Sequence, residues 1–81
     1  MRTNVCGSRV RVARAMQKPP MTQKELASKL QLEGIDIPKN SISLIEVGDR
    51  AVTDLELIAL AKILGVTTAW LLEETSDPYQ K

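Results

Sequence analysis

The chain has no histidine and a single cysteine, Cys6. Those two scarcities remove a histidine acid–base pair, a zinc-finger ligand set and a disulfide framework together. A nucleophilic Cys6 would need a base beside it, and histidine is absent, so Cys6 reads as a free thiol in a loose N-terminal arm. The carboxylates Glu73, Glu74 and Asp77 read as a solvated acidic end and not as a metal cage. There is no apolar signal run at the N-terminus, and no stretch approaches the roughly 20 apolar residues that a bilayer crossing needs. The expectation is a soluble, cytoplasmic, non-enzymatic protein with no cofactor, metal, membrane or small-molecule substrate.

Net charge is also scarce: 11 bases stand against 10 acids, a formal +1. The sum hides a separation along the chain. Residues 1–30 carry seven bases (Arg2, Arg9, Arg11, Arg14, Lys18, Lys24, Lys29) and only Glu25 as an acid, a net +6. Residues 31–81 carry four bases and nine acids, a net −5. One cationic face and one anionic face are therefore available, which permits polyanion binding. At 81 residues and 43% hydrophobic content the chain fits one small globular domain. No internal repeat, heptad series or low-complexity tract interrupts it.

What the chain does have is helical spacing punctuated by start and stop signals. A first helix is expected over Arg9–Lys18, with Val10, Ala13 and Met16 inward, ended by Pro19-Pro20. Thr22-Gln23-Lys24-Glu25 fits a capping box and opens a second helix that runs to Leu30 or slightly beyond. Gly34 can stop that helix, and Leu32, Ile35 and Ile37 are expected to cover core in the connection. Pro38 can open a third helix at its first position, with Asp36 as its cap; the helix should span Lys39–Val47, turn Ile42 and Ile45 inward and end at Gly48. Thr53-Asp54-Leu55-Glu56 is a second capping box. It begins a helix to Leu64 in which eight of eleven residues are apolar, so burial over most of its circumference is expected. Thr67 can cap a last helix to Glu74. The resulting organisation is a flexible arm at 1–8, an all-α domain at 9–74 and a frayed tail at 75–81. Trp70 and Leu71 admit two roles, completion of the core or part of a dimer interface.

The ordered set Arg9-x4-Arg14, Thr22-Gln23-x-Glu25-Leu26-Ala27-x2-Leu30, Ile42-Ser43-x-Ile45-Glu46-x-Gly48 and Leu60-Ala61-x2-Leu64-Gly65-Val66 resembles the phage repressor and Cro type of helix-turn-helix protein. The resemblance implies a compact five-helix domain whose second and third helices bind DNA, the third in the major groove. It implies that Gln23 touches the DNA backbone, that Lys39 and Asn40 are the first exposed positions of the recognition helix, and that Leu44 follows a turn later. It also implies an internal salt bridge between Arg14 and Glu46, and two-fold dimers on a double-stranded DNA operator. Asn can bond bidentately to adenine, and Lys can donate to guanine or phosphate. Ser41 and Ser43 can donate to phosphate or a base edge, Leu44 can meet a thymine methyl, and Arg50 is a candidate phosphate contact.

Two departures stand out. Gln23 and Ile42 lie nineteen positions apart, about five more than the spacing of that family. Leu44 and Val47 stand where polar side chains are common. The expected function is a transcriptional repressor that reads a two-fold-symmetric operator. The alternative is a protein-interaction module that keeps the scaffold without reading bases.

Overall fold

The computed structural model describes residues 2–80. Five helices follow in order: α1 (Gly7–Met16), α2 (Gln23–Leu32), α3 (Lys39–Glu46), α4 (Asp54–Leu64) and α5 (Thr68–Leu71). Among the described residues there is no strand, and the fold is all-α. The helices α1 and α2 each pack on α3 and on α4, while α5 closes against α1 and α4. The core runs through the middle of this arrangement: Val10 and Ala13 of α1, Leu26 and Leu30 of α2, and Ile42 and Ile45 of α3 are all buried. Each fully buried aliphatic side chain contributes about 1.5–3 kcal/mol of hydrophobic stabilisation.

Local chemistry explains the boundaries. Both capping boxes form: the hydroxyls of Thr22 and Thr53 accept from the amides of Glu25 and Glu56, and those carboxylates accept from the threonine amides. At the end of α2, Gly34 takes φ +80. The amide of Ile35 then reaches back to Leu30 O and that of Gly34 to Gln31 O, a Schellman closure that satisfies the last carbonyls. This is how the lengthened turn is absorbed. The helix gains residues up to Leu32, and the chain then descends so that Ile37 enters the core while Ile35 packs on its edge. Leu32, expected to cover core, is instead 87% exposed, because the added turn rotates it to the outer face of α2.

Other expectations are corrected by packing. Met16 is exposed, since α1 ends there before the inward stripe repeats. Asp36 does not cap α3: Pro38 is the N-cap, no side chain caps that helix, and Asp36 lies exposed upstream. On α4 only Ala59, Leu60, Ala61 and Leu64 are buried; Leu55 and Ile58 face outward, 68% and 58% exposed. Trp70 and Leu71 are 6% and 0% exposed, so both complete the core. Helix α5 stops at Leu71, ahead of the expected Glu74.

The described residues near both ends make long-range bonds, where a loose arm at 1–8 and a frayed tail at 75–81 are expected from the sequence; Met1 and Lys81 lie outside the described residues. Helix α1 begins at Gly7, and Cys6 is a core residue; burial pushes its thiol pKa up, which keeps it an inert thiol. The side chain of Asn4 accepts from the Gly7 amide at 2.8 Å and donates to Ile45 O at 3.1 Å and Arg50 O at 2.7 Å. Thr3 donates through its amide and hydroxyl to Gly48 O. At the other end, Arg9 donates to Trp70 O and Thr75 O, both at 2.6 Å, and its guanidinium lies 4.9 Å from the Trp70 ring centroid. The amide of Thr67 donates to Pro78 O.

Gly7 is the tightest of these joints. A Cβ built there would overlap the backbone oxygen of Ile45, so α1 approaches α3 as closely as only glycine permits. Helix propensity alone makes Gly7→Ala stabilising by up to about 1 kcal/mol. The overlap reverses the sign, and the expected result is a loss of about 1–3 kcal/mol in urea unfolding, the usual cost of overpacking a closed site. An equal or raised urea midpoint for Gly7→Ala would show that the α1–α3 approach is looser than described.

Candidate nucleic-acid interface

The N-terminal half of α3 protrudes because its inward stripe is only two residues wide. Ile42 and Ile45 are sealed in the core, and the intervening and preceding positions turn outward. Lys39, Asn40, Ser43 and Leu44 are exposed, as is Val47 just beyond the helix, and Ser41 is half-buried. Among the described residues no hydrogen bond or ion pair engages the side chains of Lys39 and Asn40, which leaves their donors and acceptors free for a ligand. Pro38 supplies no capping hydroxyl, so the first amides of α3 also lack a side-chain acceptor.

What fixes the direction of α3 is a knot of charge at its other end. Arg14 on α1 grips Glu46 with two bonds, Nε to Oε2 at 2.6 Å and Nη2 to Oε1 at 2.9 Å. Its remaining terminal nitrogen donates to Met21 O at 2.7 Å, in the loop that leads to α2. Gln23, the first residue of α2, donates from Nε2 to Oε1 of the same Glu46 at 3.1 Å. One carboxylate thereby joins three helices. The pair is nearly covered, with side-chain exposures of 16% for Arg14 and 5% for Glu46, and its hydrogen bonds push the Arg14 pKa further up, so the guanidinium stays charged.

Gln23 is thus brought to the edge of α3, with one amide hydrogen committed to Glu46. The second N–H remains for an outside acceptor. Around it lie Arg11, Ser43 and Val47, which with Arg14, Gln23 and Glu46 line a shallow cleft between α1, α2 and α3. Arg11 on α1, Lys18 in the α1–α2 connection, and Lys24 and Lys29 on α2 are all exposed; of these Arg11 lines the cleft, while Lys29 lies beside Glu33 and Lys62.

Arg50 sits differently. Its two terminal nitrogens each donate to Glu56 at 3.1 Å, and one also reaches Ala51 O. Glu56 is the capping residue of α4, so Arg50 braces the start of that helix across the loop after α3. Its role is at least partly structural.

Sequence reasoning missed Asn4, Gly7 and Gln17. Asn4 had a readable signal, a short polar side chain three residues before a helix amide. Its bonds to Ile45 and Arg50 had none, nor did the donation of Gln17 Nε2 to Leu64 O at 3.0 Å, because all depend on partners more than 40 residues away.

The Arg50 contact, followed by the Thr53 bonds, holds the Glu56 carboxyl below its usual pKa. A carboxylate depressed in the folded state contributes stability above its unfolded pKa and loses it as pH falls through the folded value. Thermal unfolding of Glu56→Gln should accordingly fall less than wild type between about pH 6 and pH 3. Identical slopes for the two proteins over that window would remove Glu56 from the acid response.

A family model described as helix-turn-helix matches residues 12–71. Neither a curated protein nor a solved structure matches the chain. The match covers most of the sequence and spans α2 and α3 with the helices that support them. Five helices, the packed α2–α3 pair and this match place the chain in the helix-turn-helix family of DNA-binding transcription regulators, consistent with its Cro- and lambda-repressor-like members.

Proposed function

We propose that the protein is a sequence-specific repressor that binds a two-fold-symmetric DNA operator as a homodimer, with α3 in the major groove. The observation that carries this reading is the unengaged first turn of α3, held in a fixed direction by the Arg14–Glu46–Gln23 knot. Asn40 can present its amide to N6 and N7 of an adenine, and Lys39 can donate to guanine acceptors or to a phosphate beside them. Ser41 and Ser43 supply hydroxyls to phosphate or base edges, and Leu44 supplies an apolar contact for a thymine methyl.

Phosphate anchoring falls to the free N–H of Gln23 and to the start of α2, where aligned peptide dipoles favour an anion. Arg50 can add to it through the part of its guanidinium that Glu56 leaves open. Repression follows from occupying the operator. Two half-sites read by a symmetric pair would lie about one helical turn apart, near 34–36 Å.

Exposed Leu44 and Val47 favour a second reading, in which the same surface binds a protein without reading bases. Salt separates the two. A DNA binder making about 4–6 phosphate contacts should lose affinity with a log–log slope near −0.9 per contact. On a cognate duplex, Asn40→Ala should cost about 1–3 kcal/mol and relax selectivity at one base pair, while Lys39→Ala should weaken binding with a change in salt slope if it meets phosphate. Binding titrations on cognate and substituted duplexes check both. Unchanged affinity and selectivity in Asn40→Ala would end the readout assignment.

A further inference from the structure

The outward stripe of α3 mixes two chemistries. At about 100° per residue, Val47 lies about 20° to one side of Asn40, Ser43 about 60° to that same side, and Leu44 about 40° to the other. Val47 keeps helical backbone angles, φ −90 and ψ −2, so the rotation carries through to it. Leu44 is 47% and Val47 65% exposed. Two apolar side chains therefore share one face with the exposed amide of Asn40 and the hydroxyl of Ser43, opposite the buried Ile42 and Ile45.

The surroundings of this stripe suit a polyanion. Val47 and Ser43 line the same cleft as Arg11 and Gln23, and the exposed Lys39 stands at the start of the helix. What a polyanion must add is an apolar group for Leu44 and Val47. The base edges in the major groove are donors and acceptors with one exception, the methyl on C5 of thymine; 5-methylcytosine carries the same methyl on the same carbon. We propose that Leu44 and Val47 form a methyl-reading pair, so that binding depends on pyrimidine 5-methyl groups at two steps of the DNA site and responds to methylation of a cytosine placed there.

The proposal rests on the DNA-binding reading above and adds to it a role for Val47 and a dependence on base modification. Three residues separate Leu44 from Val47, a rise of about 4.5 Å, against about 3.4 Å between successive base pairs, so the two methyls belong to neighbouring or next-but-one steps. Asn40 lies about 6 Å before Leu44 along the helix and reads the step beyond them. Selection works in both directions. A methyl against Leu44 or Val47 removes apolar surface from water, whereas a bare donor or acceptor in its place loses water and gains no partner.

Anisotropy titrations of the full chain on a duplex enriched from a random-sequence pool test it, with each thymine replaced in turn by uracil, which pairs alike but lacks the methyl. Uracil at a contacted step should weaken binding about fourfold, the worth of one buried methyl, and by the same factor at low and high salt, since no phosphate contact changes. Leu44→Ala should abolish the uracil effect at one step and Val47→Ala at the other; both positions are exposed, and circular dichroism checks that the fold is kept. Where a contacted step holds cytosine, methylating its C5 should tighten binding about fourfold, which separates 5-methylcytosine from thymine as the source of the methyl. A duplex bound equally well with thymine or uracil and with cytosine or 5-methylcytosine at every step overturns the proposal, as do uracil effects that persist unchanged in both alanine variants. A pool from which no duplex is enriched overturns the DNA-binding reading and the methyl readout with it, whereas an enriched but methyl-insensitive duplex overturns the readout alone.

Discussion

The carboxylate of Glu46 is where the architecture is decided. It takes two bonds from Arg14 and one from Gln23, and Arg14 adds the carbonyl of Met21. The helices α1, α2 and α3 thus meet at one nearly covered charge pair. Such a pair adds little net stability by itself, since desolvation offsets much of the attraction. Its value is geometric, because a bidentate guanidinium and a carboxylate fix each other's orientation and so the angle between their helices. Losing either member would leave the other buried and uncompensated.

A second set of bonds holds α3 from the other side. Asn4 and Thr3 clamp the carbonyls of Ile45, Gly48 and Arg50, and Gly7 lets the start of α1 rest on the Ile45 backbone. Every one of these attachments falls on the last turn of α3 or just beyond it. The first turn carries none through the side chains of Lys39 and Asn40. A short helix anchored at its C-terminal end and bare at its N-terminal end is a rigid projection, the arrangement needed to present side chains to a groove without first ordering them.

Much of this was legible from local patterns. The capping boxes at Thr22 and Thr53 marked two helix starts to the residue, because their chemistry is contained in four consecutive positions. Ile42 and Ile45 declared the inward stripe of α3, and the spacing of Arg14 and Glu46 within the family pattern pointed to their pairing. The failures share a cause. Leu32, Leu55 and Ile58 are apolar residues whose burial depends on whether another element arrives to cover them, and composition cannot show that none does. Conversely, Asn4, Cys6 and the residues after α5 looked loose because the partners that tie them down lie far along the chain. From sequence Trp70 fits core or interface for the same reason: apolar character is local, while the face it meets is tertiary.

The most direct test of a fixed α3 that reads base edges is selection of bound duplexes from a random-sequence pool by the full chain. Recovery of a consensus with two inverted half-sites, their centres about 34–36 Å apart, is the result expected. A pool that remains unenriched after repeated rounds at low salt would contradict it.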